Sequence, residues 1–296
     1  MMNNNKFKGI FAASVTPFTK EGDLDIPALK EEIEYLISKG IDGFFIGGTY
    51  GEGPMMTSEE YETYVNTFSE TVNGRVGIIA QVGATSLKQT LKQAEAAEKA
   101  KVDALAAIPP FYFPHDDEAI YQYYQDLCSN TNLPVYIYNN PERSGCRITP
   151  KLLERLAKIP GLAGMKDSSN SITDFTRYKA VVGSDFNMLI GNDDFTLGAL
   201  LMGADGGVIV MAGVFPELYV DLYNAFKAGD FEKAREIQYR ALSIRSVLKK
   251  GPYISTYKAV LGMLGRNAGY CRKPIRELTE SEYDTIHQGL TELGII

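Results

Sequence analysis

A chain of 296 residues, 45% hydrophobic and 23% charged with a formal net charge of -7, has the composition of a globular protein with enough apolar material for a large core. Its 30 basic residues are dispersed, which argues against a nucleic-acid surface or an anionic membrane patch, and no apolar run nears the roughly 20 residues of a membrane span. Two histidines and three widely spaced cysteines (Cys128, Cys146 and Cys271) poorly supply a metal centre, a disulfide framework or a histidine-driven triad, so chemistry must rest on Lys, Tyr, Thr, Asp, Glu or Arg.

The polar opening "MMNNNKFK" lacks the apolar middle of a signal peptide, so the cytoplasm is the expected location. Eight short apolar runs follow in order: "GIFAASVTP" (9–17), "DGFFIGG" (42–48), "RVGIIAQVG" (75–83), "DALAAIPP" (103–110), "LPVYIYNN" (133–140), "GLAGMKDSS" (161–169), "FNMLIGND" (186–193) and "GGVIVMAG" (206–213). Each ends in Gly, Pro or a small polar residue and gives way to a helical pattern, the alternation of a βαβα chain. Residues 26–39 carry an apolar stripe of Leu29, Ile33, Leu36 and Ile37, with Glu31, Glu32 and Glu34 on the expected wet side. "TSEEY" and "TSLKQ" offer hydroxyl N-caps to the next two helices.

Eight strands each followed by a helix, at this length, predict an α/β fold of the (β/α)8 TIM barrel type with a C-terminal helical extension, ahead of an open doubly wound sheet. The barrel with its active site is expected over residues 1–213, and a closing helix plus a helical region over 214–296. Neither a G-x-G-x-x-G after the first strand nor a G-x-x-x-x-G-K-[ST] is present, so dinucleotide and P-loop readings lose their support. "GADGG" alone suggests a phosphate site near the last two strands, but its glycines more simply mark a tight turn.

In a barrel, the polar residues at the strand C-termini are the candidates for chemistry. Period-2 alternation in "PVYIY" puts Tyr136 and Tyr138 on one face, and Tyr138 points into the barrel mouth if Val135 and Ile137 face the helices. In "LAGMK", Lys166 ends an apolar strand with Gly164 leaving space below the amine. A strand-end lysine can snorkel to solvent; desolvated, its pKa falls and it can attack a carbonyl to form a Schiff base. Tyr138 could then shuttle protons, and the Thr49 region could bind a carboxylate. Singly, Tyr138 reads as a packed core tyrosine and Thr49 as a turn residue between Gly47, Gly48, Gly51 and Gly53. Together on three rims they favour catalysis.

"GGTYGE", "YNNPERSG" and "GMKDSS", followed by "GND" and "GADGGVIVMAG", make the chain resemble the dihydrodipicolinate synthase / N-acetylneuraminate lyase family of pyruvate-dependent class I aldolases. The likeness runs from Gly9 to about Val214 and more loosely through the tail. It implies a barrel lyase, usually a homotetramer, acting on a small-molecule 2-oxo acid and an aldehyde, with no metal and no organic cofactor. Carried over by position, Lys166 is the Schiff-base lysine, Tyr138 the proton shuttle, and Thr49 the link to a second tyrosine, Tyr112, which synthases donate from a neighbouring subunit. Gly191 and Val208 line the pyruvate pocket, and Arg143 matches the arginine that holds the carboxylate of aspartate semialdehyde.

Tyr50 stands where synthases commonly carry a second threonine donating to pyruvate, so the glycine-rich turn's N–H groups would have to serve and the pocket must be reshaped. Gln89 replaces a glutamate of lysine-inhibited synthases, and Gly213 an asparagine. The expected reaction condenses pyruvate with aspartate semialdehyde to 4-hydroxy-tetrahydrodipicolinate. The alternatives are cleavage of a 2-keto-3-deoxy sugar acid or N-acetylneuraminate, and a non-catalytic 2-oxo acid binder on the same barrel.

Overall fold

Each of the eight apolar runs forms a short strand in the computed structural model, which describes residues 4–296. They are β1 (Gly9–Ala12), β2 (Gly43–Ile46), β3 (Gly77–Gln81), β4 (Ala104–Ala107), β5 (Val135–Asn139), β6 (Leu162–Asp167), β7 (Asn187–Ile190) and β8 (Gly206–Ile209). All their residues are buried, as expected for parallel strands covered on both faces. Each strand pairs in parallel with its successor, and β8 returns to β1 with Gly9 opposite Gly206 and Ala12 opposite Ile209, so the sheet closes. The ring is a (β/α)8 barrel, and the open-sheet alternative is excluded. The strands stop before the apolar runs end, Asn139 being one residue short of its run's end and Ala12 five. The residues beyond them form the rim loops; Thr16, for example, leaves β1 to donate to the Gly51 carbonyl at 2.7 Å.

Outer helices form where apolar stripes and caps coincide. Thr57 and Glu60 make a capping box at the start of Ser58–Val72, and Ser86 caps Leu87–Lys99, as the hydroxyls predicted. In Ile26–Ser38 the residues Leu29, Ile33 and Leu36 are buried as expected. Glu32 corrects the sequence reading: it is 4% exposed rather than on a wet face, because Arg266 of the tail reaches it and also donates to the carbonyls of Gly213 and Val214. Charge pairing across 234 positions cannot be seen in a local stripe.

Inside the barrel, Tyr136 packs edge-on against Phe7 at 5.5 Å and Tyr138 against Phe45 at 5.3 Å. The room left by Gly164 is filled by the Tyr136 ring, which would stand 2.5 Å from an added Cβ, so it is not open space under Lys166. After β8 the chain continues through the helices Met211–Val214, Pro216–Lys227, Phe231–Leu248, Ser255–Met263 and Glu280–Glu292. This is the C-terminal helical extension. Among the described residues, no helix is long and apolar enough to cross a membrane.

Candidate active site

Register does the first part of the assembly. β5 and β6 pair Tyr138 with Lys166 and Asn139 with Asp167, so successive residues alternate between the barrel interior and the helix layer. Asp167 turns away from the mouth and is held by Asn139 at 2.7 Å and Ser169 at 2.9 Å. Lys166 turns inward and is 5% exposed. Its amine lies 3.8 Å from the centroid of the Phe45 ring and 4.1 Å from that of Tyr138, and among the described residues it makes no hydrogen bond or ion pair. Burial pulls its pKa from 10.5 down to about 7, with Asp193 opposing through its negative charge. A substantial share of the amine is therefore an uncharged nucleophile at neutral pH.

Tyr138 holds a hydroxyl network at the same place. Its phenol oxygen is 3.1 Å from Thr49 Oγ1 and accepts from Asn140 Nδ2 at 3.0 Å. Burial raises its pKa, while those two hydrogen bonds and the charge of Arg143 work in the opposite direction. Gly191 is required sterically: a Cβ there would sit 2.1 Å from Ser168 Oγ and 3.0 Å from Lys166 Cε. Val208, Gly191, Tyr138, Tyr50, Arg143 and Lys166 line one cavity of about 400 Å³. Thr49 and Tyr138, with Phe111, Ile254 and Ile275, line an adjoining apolar recess of about 250 Å³, which Arg143 also borders.

The turn carrying Thr49 is folded back on itself. Gly53 passes so close to Gly47 that any Cβ would lie 1.9 Å from the Gly47 carbonyl oxygen. Glu52 takes a left-handed φ of 54° and forms a buried ion pair with Lys258 at 2.6 Å. Its other oxygen accepts from the backbone of Arg272 at 2.8 Å. The C-terminal extension thus anchors the turn from behind. Tyr50 lies against Tyr253 at 4.8 Å and Tyr257 at 5.0 Å between ring centroids, so its phenol is housed in an aromatic cluster contributed by the tail.

Cations and acids divide unequally around the cavity. Asp193 faces Arg245 at 3.5 Å, and Asp194 pairs with Arg245 and, at 2.9 Å, with Lys249. Glu142 accepts from Asn170 at 3.0 Å. Arg143 has no hydrogen-bond or ion-pair partner for its guanidinium among the described residues, and rests 4.7 Å above the Tyr253 ring. Lys166 and Arg143 are the two lining cations left uncommitted.

Of the residues expected from sequence, Lys166, Tyr138, Thr49, Tyr50, Arg143, Gly191 and Val208 converge here. Tyr112 does not. It is 86% exposed with a φ of 83°, its ring against Phe113, and it lines neither cavity, so one chain alone does not complete a relay from Tyr138 through Thr49 to Tyr112. Sequence reasoning missed Asn140 and Ser168, although each lies two residues beyond a singled-out rim residue, in "YNN" and "KDS". Arg245, Lys249 and Tyr253 carried no such signal, because they come from the tail.

A closed barrel whose C-terminal rim holds a buried amine without an ion-pair partner among the described residues is the arrangement expected of a carbon lyase of the class I aldolase type. The chain belongs to the dihydrodipicolinate synthetase family, whose model matches residues 6–293. It is 32% identical over 295 residues to the 4-hydroxy-tetrahydrodipicolinate synthase of Methanocaldococcus jannaschii, covering 98% of this chain and all of that one. Among solved structures, it superposes with a TM-score of 0.94 on YagE, an Escherichia coli prophage protein of the dihydrodipicolinic acid synthase family in complex with pyruvate, at 27% identity, covering 98% of this chain and 99% of that one. It superposes equally, at 0.94 and 28% identity, on a catalytic-lysine mutant of the Ruminococcus gnavus sialic acid aldolase, covering 99% and 98%.

Proposed function

We propose that the protein condenses pyruvate with a carboxylate-bearing aldehyde through a Schiff base on Lys166, with aspartate semialdehyde as the best single acceptor and 4-hydroxy-tetrahydrodipicolinate as the product. One observation carries this reading: an amine with a pKa of about 7 stands beside a phenol that is hydrogen-bonded to a threonine hydroxyl. The neutral amine attacks the ketone carbon of pyruvate. Tyr138 donates the proton with which the carbinolamine oxygen leaves as water, and the phenolate left behind, held by Thr49 and Asn140, takes a methyl proton to give the enamine. The enamine carbon attacks the aldehyde, and Tyr138 protonates the new alkoxide. The acceptor's amino group then displaces Lys166 and closes the ring. N–H groups of Thr49 and Tyr50, which have no backbone acceptor among the described residues, would receive the pyruvate carboxylate, and the fork of Arg143 the carboxylate of the acceptor.

Borohydride reduction in the presence of pyruvate should leave a covalent adduct on Lys166 and none on Lys166→Ala; an unmodified lysine in the native protein would remove the basis of the reading. A second reading, retro-aldol cleavage of a 2-keto-3-deoxy sugar acid to pyruvate, is favoured by one feature, the polar cavity lining of Asn170, Asn192, Asp193 and Asp194. Release of pyruvate from such an acid, with no turnover of aspartate semialdehyde, would select it. The family's oligomeric habit and the exposed Tyr112 support a homotetramer in which Tyr112 enters a neighbour's site.

A further inference from the structure

Arg143 occupies an awkward position for a residue meant to recognise an anion. Its backbone is well fixed, because the helix Pro141–Ser144 is tied down by N–H donation from Arg143 and Ser144 to the Asn140 carbonyl at 3.1 and 3.0 Å. Its long side chain has no acceptor to hold it. The acids around the cavity are committed elsewhere: Glu142 to Asn170, Asp193 to Arg245, and Asp194 to Arg245 and Lys249. Left to itself, an exposed guanidinium on such a stem samples many rotamers, and ordering it on binding weakens recognition.

The contact that restrains it is the ring of Tyr253, 4.7 Å below the guanidinium carbon. Tyr253 is itself 48% exposed, in the connection before Ser255–Met263. It is braced by Tyr50 at 4.8 Å, and Tyr50 in turn by Tyr257 at 5.0 Å. Lys258, the next residue in that helix, carries the ion pair to Glu52 two positions after Tyr50. The rings therefore form a continuous support from the anchored turn to the guanidinium of Arg143, which among the described residues has no hydrogen-bond or ion-pair partner. A ring face binds a guanidinium without using its N–H fork, so this support orients Arg143 while leaving its donors open to a planar anion.

We infer that Tyr253 is a specificity-determining positioning residue: stacked on Arg143 and braced by Tyr50, it holds the guanidinium where an acceptor's carboxylate is bound. This rests on the proposed reading of Arg143 and gives Tyr50 a purpose of its own. Tyr50, where the family resemblance would place a second threonine, supplies the brace for the proposed acceptor subsite.

The experiment compares kcat/KM, at saturating pyruvate, for aspartate semialdehyde and succinic semialdehyde against neutral glyceraldehyde. Tyr253→Phe should keep the native preference for the charged aldehydes. Tyr253→Ala should reduce that preference about three- to fivefold, the weight of one exposed cation–ring contact. In an Arg143→Ala background, Tyr253→Ala should change it by less than about twofold, because the residue acts through the arginine. A merely structural role would lower turnover of all aldehydes together and persist in the Arg143→Ala background; either result overturns the inference. So does a native enzyme with no preference for charged aldehydes. Borohydride trapping of pyruvate on the native protein separates the two failures: no adduct defeats the Schiff-base reading, whereas an adduct with unaltered preference defeats only the role of Tyr253.

Discussion

Replacing Lys166 by methionine should make the protein more stable, by an amount that depends on pH. The side chain is 5% exposed, has no ion-pair or hydrogen-bond partner among the described residues, and titrates near 7 instead of 10.5 despite the nearby charge of Asp193. The fold disfavours its protonated form, whereas the unfolded chain restores the ordinary value. Between about pH 7 and 10.5 the unfolded state binds more protons, so stability rises with pH across that window. Below it both states are protonated and the full cost of the buried charge remains. At 1.36 kcal/mol per unit, that cost is about 5 kcal/mol below pH 6, about 4 at pH 7, about 2 at pH 9 and near zero above pH 11. Methionine has similar length and volume and needs no partner. Urea unfolding of native protein and Lys166→Met, without pyruvate and at equal protein concentration, should show this gain shrinking as pH rises. A gain of equal size at pH 6 and pH 10, or a less stable variant at pH 7, would refute the argument that burial without pairing sets the reactivity of Lys166.

Tyr138→Phe keeps the ring beside Lys166 and removes the oxygen shared with Thr49 and Asn140; kcat should fall about 10²- to 10⁴-fold, with pyruvate KM moving far less in steady-state assays. Lys258→Met strands Glu52, which is 2% exposed, and should cost about 3–5 kcal/mol in unfolding experiments, most of it recovered when Glu52 is replaced by glutamine as well. If Tyr112 serves a neighbouring copy, inactive Lys166→Ala and slow Tyr112→Phe chains should regain turnover when refolded together. No recovery in a mixed oligomer, verified by sedimentation, would confine Tyr112 to its own chain.

Much of this molecule is determined locally and was therefore readable. Strand cores such as "VYIY" and "LAGM" are apolar because both sheet faces are covered, and their alternation is a property of the strand itself, so parity put Tyr138 on the face of Tyr136 and Lys166 on the face of Gly164. Hydroxyl caps at Thr57 and Ser86 act within one turn of the chain. The Gly47–Gly53 stretch reads as a turn, but that its two ends pass within contact of each other, Gly53 against Gly47, is seen only in the structure.

Tertiary structure decided what depends on residues far apart in sequence. Burial of Glu32 rests on Arg266, and the left-handed Glu52 on Lys258; no local pattern encodes either pairing, because an ion pair needs only proximity in space. The same holds for the mouth. Arg245, Lys249 and Tyr253 lie in or just after an amphipathic tail helix that reads as packing material, yet closure of the barrel swings the tail across the rim. There two of its cations neutralise Asp193 and Asp194, so that among the described residues no acid pairs with Arg143. The buried amine of Lys166 could be read from the chain because a strand places it. The electrostatics that leave one amine and one guanidinium uncommitted exist only once the tail has folded over them.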